Sequence, residues 1–328
     1  MPTPGCQSRV MKLMKLRTIG SGMTRLLPVW VLLAGVVGFS HPPALTWLNG
    51  RIEWLFAATM LGIGAVLTPS DFQPIFRRPH LALLGTIAQF GIMPVTGFLV
   101  ARALRLPPEL ALGFILVGSV PGAMASNVIS YLAKADVPYS ITLTTCSTLL
   151  APIATPALTF LFGRTYVPIP FWPMFLNIVE IVIAPLLLGL ALRHWFGRVV
   201  EGISWLFPLL SSVAIALICG LVVALNTDKL VQITWLVLIG VVAHNAIGLL
   251  GGYLAGKLYR FDATRCRTLA IEVGMQNAGL GAVLALKHFS AQTAIPNALF
   301  ATWCIVTASI LAEIWAGRSS RGVTASPK

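Results

Sequence analysis

Charged residues are scarce in this sequence. Only 10% of its 328 residues are Asp, Glu, Lys or Arg, whereas 57% are hydrophobic, and the mean hydropathy is +0.85. Soluble domains carry about 25% charged residues, which cover their surface. The composition therefore excludes a soluble globular domain and predicts an integral membrane protein.

Paired cysteines and catalytic signatures are missing. The five cysteines stand alone without a CxxC pair, which excludes a disulfide framework or a zinc cluster. The sequence also lacks HExxH, a GxGD aspartate pair and a Ser-His dyad on facing motifs, all of which an intramembrane enzyme could use. We therefore predict a protein that is not an enzyme and has no cofactor. An intramembrane enzyme stays as the alternative from another class.

The alternating pattern of outer-membrane strands is absent too, whereas apolar runs near the 20 residues that cross a bilayer recur along the chain. We predict an all-α membrane protein with ten transmembrane helices, at about 26–44, 52–68, 81–104, 109–132, 138–162, 170–193, 203–225, 230–256, 266–286 and 294–316. These helices form a transporter domain over 26–316. A basic tail at 1–25 precedes it, and a C-terminal tail at 317–328 follows it.

Acidic residues are few, with 10 Asp and Glu against 23 Lys and Arg and a net charge of +13. A nucleic-acid partner is not indicated, because the basic residues form no strip with interleaved aromatic residues. Seventeen of the 23 fall on one side of the ten-helix topology if the N-terminus is cytoplasmic. The positive-inside rule then predicts that both termini are cytoplasmic.

Two segments of the chain resemble each other. AQFGIMPVTGFLVAR at 88–102 matches AHNAIGLLGGYLAGK at 243–257 in glycine, aromatic and basic positions. Five predicted helices separate them, and an odd number inverts the topology, so we predict inverted repeats at about 26–164 and 170–316. The same spacing makes Gly122 in helix 4 equivalent to Gly274 in helix 9.

Both of these glycines predict an interrupted helix, and Pro121 strengthens the first interruption. A broken membrane helix exposes carbonyl oxygens from one half and the positive N-terminal end of the other, which suit a cation and an anion. Polar residues gather near the breaks, namely Gln89, Ser126, Asn127, Ser140, Thr144, Glu272, Gln276 and Asn277. Neutral oxygens with one carboxylate are ligands for a hard monovalent cation such as Na⁺.

Glu272 is the sharpest of these signals, since a charge at mid-membrane costs about 3 kcal/mol even on lenient scales. The alternative for the neutral polar residues is ordinary interhelical hydrogen bonding. For His244 we expect a satisfied buried histidine, and for Glu180 no direct role.

The segments PGAMASNVISYLA and EVGMQNAGLGAVLA resemble the two signature segments of the bile acid:sodium symporter family, and the resemblance covers about 26–316. It implies a core of helices 3–5 and 8–10 with crossing, broken helices 4 and 9, and a panel of helices 1, 2, 6 and 7 that work by alternating access. It implies one sodium site at Ser126, Asn127, Ser140, Thr144 and Glu272. The second implied site uses Gln89, Glu272, Val273, Met275 and Gln276, partly through backbone carbonyls.

The substrate region departs from the family pattern, because Met124, Cys304 and Ile305 stand where some members carry hydrogen-bonding residues. With Asn277, these are the candidate substrate contacts. The resemblance implies a sodium-coupled symporter of a small organic anion, bile-acid-like, pantoate-like or a 2-oxo acid, in the inner membrane of a bacterium. Sodium ions, the anion and membrane lipid are the expected partners. A proton-coupled transporter or exporter on the same fold is the nearest alternative.

The charge distribution predicts the sidedness of each loop. Reporter fusions after Arg78 and after Lys328 should report the cytoplasm, and fusions after Arg105 and after Lys287 the opposite side. A fusion on the wrong side would contradict both the topology and the inverted repeat.

Overall fold

The computed structural model of the protein describes residues 27–323, except for the side chains of residues 69, 70, 72, 229–234 and 318–323. The described part is nearly all helical, and it contains no β-strand. The tail at 1–25 and the last residues, 324–328, lie outside the described residues. The prediction of an all-α protein is confirmed for the part of the chain that is described.

The helices divide into two compact units, each drawn from both halves of the chain. The first unit takes the described residues 27–68 and 179–224. Its helices are α1 (Leu27–Ser40), α2 (Pro43–Thr46), α3 (Ile52–Val66), a π-helical turn (Val179–Ile183), α10 (Ala184–Ile203) and α11 (Leu206–Ala224). Its packing is built on α11 against α1 and on α10 against α3.

The second unit takes residues 69–178 and 225–323. Its helices are α4 (Pro69–Arg77), α5 (Pro79–Ala103), α6 (Pro108–Ser119), α7 (Ser126–Leu132), α8 (Val137–Gly163), α9 (Phe171–Ile178), α12 (Thr227–Leu258), α13 (Ala263–Gly274), α14 (Ala278–His288) and α15 (Ala291–Val323). All the candidate site residues lie in this unit.

Six helices of the described chain are long and apolar enough to cross a membrane, and α1, α3 and α6 are shorter apolar helices. Segment 171–203 is one such helix, so it continues past the predicted end at 193. The last helix also runs past residue 316, as far as Val323. Multiple apolar helices confirm a multi-pass membrane protein, whereas the ten-span inverted repeat stays a prediction.

Two of the predicted spans are interrupted near the expected positions. Helix α6 ends at Ser119 and α7 begins at Ser126, and Val120 between them is extended. Helix α13 ends at Gly274, and extended Met275 precedes α14. The two interruptions pair with each other as an isolated antiparallel bridge between Gly122 and Gln276. In this bridge, the Ala123 N–H donates to the Met275 carbonyl at 3.0 Å, and the Asn277 N–H donates to the Pro121 carbonyl at 2.8 Å.

The starts of α8 and α13 are capped and joined. Asp136 accepts from the backbone N–H of Tyr139, and Asp262 accepts from those of Thr264 and Arg265. The Thr264 hydroxyl and the Arg265 N–H hold the pKa of Asp262 below its usual value, so this cap is ionised at neutral pH. Arg265 contacts both caps, at 3.2 Å from Asp136 and 3.4 Å from Asp262. The two helices that carry Ser140, Thr144 and Glu272 thus start from one ion-paired anchor.

Helices α5 and α6 pack so closely at Gly97 that there is no room for a side chain between their backbones. A Cβ atom added at Gly97 on α5 would lie 2.5 Å from the Phe114 carbonyl oxygen on α6. A Cβ added at Gly91, also on α5, would have no atom within 4 Å. Small residues permit such close packing between membrane helices.

Gly97→Ala should therefore destabilise the protein, because the added methyl overpacks the contact at a cost of about 1–3 kcal/mol. Gly91→Ala on the same helix is the matched control, and it should be neutral or slightly stabilising because alanine favours a helix by about 1 kcal/mol over glycine. Thermal unfolding of the detergent-solubilised protein measures both. Equal melting temperatures for the two variants would contradict this packing.

Candidate functional site

The Glu272 carboxylate is the centre of the polar cluster. Glu272 lies in the last turn of α13 and is 2% exposed. Its Oε1 accepts hydrogen bonds from Ser126 at 2.5 Å, from Thr144 at 3.2 Å and from Ser140. Its Oε2 accepts from Thr144 at 3.0 Å. Three hydroxyls therefore surround one buried carboxylate.

Three separate elements bring these hydroxyls together. Ser126 is the first residue of α7, so the break before this helix directs it toward Glu272. Ser140 and Thr144 stand one turn apart on α8 and share a face. The Asn127 Oδ1 lies 2.8 Å from the Ser140 hydroxyl and 3.4 Å from the Thr144 hydroxyl, so it is an alternative acceptor to Glu272 for their single protons. The structure thus joins all five residues predicted for the first sodium site in one hydrogen-bonded cluster.

Gly122 covers the carboxylate from the other break. A Cβ added at Gly122 would lie 3.1 Å from Glu272 Oε2. The Gly122 N–H donates to the Ser147 hydroxyl at 3.4 Å, and that hydroxyl donates to the Thr144 carbonyl at 3.1 Å. Sequence reasoning missed Ser147, although its place one turn beyond the Ser140–Thr144 pair could have indicated it.

Three residues of the second predicted sodium site are linked by hydrogen bonds from side-chain amides. Gln89 on α5 donates from Nε2 to Gln276 Oε1 at 2.8 Å, and Gln276 Nε2 donates to the Val273 carbonyl at 2.7 Å. The Met275 carbonyl faces the other break, where it accepts from Ala123. The Gln89 Oε1 atom is buried without a hydrogen-bond partner. An unpartnered buried acceptor is costly, and a cation could satisfy it.

The predicted substrate residues are more scattered. Met124 lies half-buried in the first break, and Asn277 follows the second, where its Oδ1 caps α14 through the Leu280 N–H at 3.2 Å. Cys304 on α15 is 1% exposed and near the backbone of Gln276, and Ile305 is half-buried. The Cys304 side chain is therefore closed to solvent in this conformation.

His244 and Glu180 are the two other polar candidates inside apolar segments. His244 on α12 is fully buried, and its Nε2 lies 3.0 Å from the Met93 carbonyl. Its Nδ1, however, has no hydrogen-bond partner, so the expected satisfied histidine is only half realised. Glu180 belongs to the first unit, where it is exposed on the π-helical turn.

A family model described as the Sodium Bile acid symporter family matches residues 54–233 of this chain. This stretch is more than half of the sequence. It contains the first break and all three hydroxyls around Glu272.

Curated relatives match over nearly the full length. The chain is 41% identical over 287 residues to the uncharacterized sodium-dependent transporter YocS of Bacillus subtilis, covering 88% of this chain and 89% of the relative. It is 36% identical over 299 residues to the probable chloroplastic sodium/metabolite cotransporter BASS1 of Oryza sativa, covering 90% and 74%. These relatives are named as transporters rather than enzymes, which confirms the prediction that this protein is not an enzyme. The chain belongs to the sodium bile acid symporter family.

Proposed function

We propose that the protein is a sodium-coupled secondary symporter of a small organic anion that works by alternating access. One observation carries the proposal, namely the buried Glu272 carboxylate with three hydroxyls and an amide oxygen gathered around it where two helix breaks pair. The family assignment and the sodium-dependent relatives support the coupling ion.

The charge balance around Glu272 favours a cation. Among the described residues, no lysine or arginine forms an ion pair with it. A buried ion costs several kcal/mol unless it is compensated. The three hydroxyls offset part of this cost by donating hydrogen bonds, and each keeps lone pairs that could turn toward Na⁺. Sodium at Ser126, Asn127, Ser140, Thr144 and Glu272 would then neutralise the carboxylate.

A second sodium ion is proposed beside the second break, held by Gln89, Gln276, Glu272 and the carbonyls of Val273 and Met275. The unpartnered Gln89 Oε1 supports this. The Val273 and Met275 carbonyls each accept one hydrogen bond and keep a second lone pair for a cation. Hard cations take neutral oxygen ligands of this kind.

The anion is proposed to bind near the breaks, at Met124, Asn277, Cys304 and Ile305. The Asn277 Oδ1 is used as a helix cap, which leaves its amide NH₂ group as the donor to an anion. The start of α14 adds a positive helix end. Met124, Cys304 and Ile305 offer apolar contact, which fits an organic anion with a hydrocarbon part.

The finer architecture is proposed as well. Ten spans would form two inverted repeats, with the second unit as the core and the first unit as the panel. Both termini would be cytoplasmic in a bacterial inner membrane. The two breaks and the mixed origin of each unit from both halves of the chain support this arrangement.

Glu272→Gln should weaken Na⁺ binding while preserving the side-chain volume. Removing one charged ligand costs about 1.5–3 kcal/mol, which lowers the apparent Na⁺ affinity by about 10- to 100-fold. The measurement is the rise in melting temperature when NaCl replaces choline chloride, since a ligand of the folded state stabilises it. Glu313→Gln, at an exposed position of α15, is the matched control and should respond like the wild type. An unchanged response in Glu272→Gln would refute the assignment.

An uptake assay in proteoliposomes distinguishes sodium coupling from proton coupling. Proteoliposomes would first be screened with taurocholate, pantoate, pyruvate and other 2-oxo acids, and the accumulated anion would then be followed. Uptake should stop when K⁺ or choline replaces Na⁺ outside. Accumulation driven by a proton gradient alone would favour the proton-coupled alternative.

Alternating access predicts that Cys304 becomes reachable from water. In a variant that keeps Cys304 as the sole cysteine, a small polar maleimide should label it above a cysteine-free background, because thiols react as thiolates in water. Na⁺ should change the labelling rate by shifting the population of conformations. Labelling that never exceeds the background would remove Cys304 and Ile305 from the substrate site.

A further inference from the structure

Asn245 joins the second helix break to α15. It lies on α12 and is fully buried. Its Nδ2 donates to the Gly274 carbonyl at 2.8 Å, and its Oδ1 accepts from the Thr307 hydroxyl on α15 at 2.7 Å. The Gly274 carbonyl determines the orientation of the Asn245 side-chain amide, because a flipped amide would place the Asn245 Oδ1 against the carbonyl oxygen, and both are acceptors. One side chain thus holds two other helices of the same unit.

The Gly274 carbonyl belongs to the region proposed to bind sodium. Gly274 ends α13, and its carbonyl lies between those of Val273 and Met275 along the chain. The last carbonyls of a helix lack partners within the helix, so outside donors decide how they point. Gln276 donates to Val273, Ala123 to Met275, and Asn245 to Gly274. Asn245 is therefore the donor that α12 contributes to the break.

Gly248 and Gly274 let the backbones of α12 and α13 pack closely, so the Asn245 side chain can reach the Gly274 carbonyl. A Cβ added at Gly248 on α12 would lie 3.4 Å from the Gly274 Cα, and one added at Gly274 would lie 3.2 Å from the Leu249 nitrogen. The backbone of α12 thus lies directly against the break. A short asparagine side chain can then bond a main-chain carbonyl of the opposite helix.

Thr307 has a choice of acceptors. Its hydroxyl lies 2.7 Å from Asn245 Oδ1, 3.0 Å from the Trp303 carbonyl and 3.2 Å from the Cys304 carbonyl. It carries only one proton, and a threonine within a helix commonly donates to its own preceding turn. Donation to Asn245 satisfies a buried acceptor in another helix, whereas donation to Trp303 would leave that acceptor unpaired. The hydroxyl therefore links the break to the turn that carries Cys304.

We propose that Asn245 and Thr307 are positioning residues that couple the sodium-binding break to the substrate residues Cys304 and Ile305 of α15. This inference rests on the proposed function. When the break changes its carbonyl orientation on binding Na⁺, the Gly274–Asn245–Thr307 chain transmits the change to α15. In the reverse direction, Thr307 holds Asn245 in the position that orients the Gly274 carbonyl. A hydroxyl that is not itself a proposed sodium ligand thus sets the affinity of the break for Na⁺.

The test replaces the hydroxyl without changing the shape of the side chain. Thr307→Val should weaken Na⁺ binding about 5-fold, corresponding to the loss of about one neutral hydrogen bond. Thr307→Ser keeps the hydroxyl and should restore the affinity. Thr96→Val is the matched control, because the buried Thr96 hydroxyl bonds only to the Ile92 carbonyl of its own helix at 2.7 Å. Its Na⁺ affinity should equal that of the wild type.

The measurement is the melting temperature of the purified full chain, titrated with NaCl against choline chloride at constant ionic strength. A purely structural role for Thr307 would lower the melting temperature in choline but leave the Na⁺ dissociation constant unchanged, and that result would overturn the coupling proposal alone. A wild type that shows no Na⁺-specific stabilisation would reject the proposed function and this inference with it. If Thr307→Val does not fold, Thr307→Ala removes the same hydroxyl with a smaller side chain and is judged by the same two outcomes.

Discussion

A carboxylate buried within the membrane is the constraint on which the rest of the candidate site depends. Glu272 must be compensated, because an isolated charge in a medium of low dielectric constant is costly. No basic side chain of the described residues supplies the compensation. The cost is reduced by hydroxyls that converge from α7 and α8, and the proposed Na⁺ would neutralise the remaining charge. The proposal therefore makes the stability of the break region depend on the ion.

The two helix breaks make this convergence possible. In a continuous helix through residues 119–126, the position of the Ser126 side chain would be fixed by the helix that begins at Pro108. The extended stretch instead lets α7 start beside Glu272. The same stretch supplies an exchange of backbone hydrogen bonds with the second break. Polar main-chain groups that lipid could not solvate are thereby satisfied. The breaks therefore bring Ser126 beside Glu272 and supply the backbone pairing that joins the two interrupted helices.

Sequence reasoning reached the parts of the site that depend on residue type and local spacing. Glu272 stands out because carboxylates are rare in apolar segments, and Ser140 and Thr144 share a face because they are one helical turn apart. The positions of Gly122 and Gly274 predicted the breaks, although Gly274 proved to be the last helical residue and Gly122 pairs with Gln276. The roles of Asn245 and Thr307 could not be predicted from the sequence, because the two residues lie 62 positions apart on different helices. Thr307 by itself resembles an ordinary helical threonine. Cys304 is buried here because α15 packs near the backbone of Gln276, which local sequence does not reveal.

A high-resolution experimental structure determined in saturating NaCl, compared with one determined in choline chloride, shows whether Na⁺ binds between Glu272 and its surrounding hydroxyls. We expect a density peak in the sodium structure that contacts Glu272, Ser126, Ser140, Thr144 and Asn127 and vanishes in choline. A Glu272 carboxylate that keeps the same three hydroxyl contacts in both salts, with no ion between them, would contradict it.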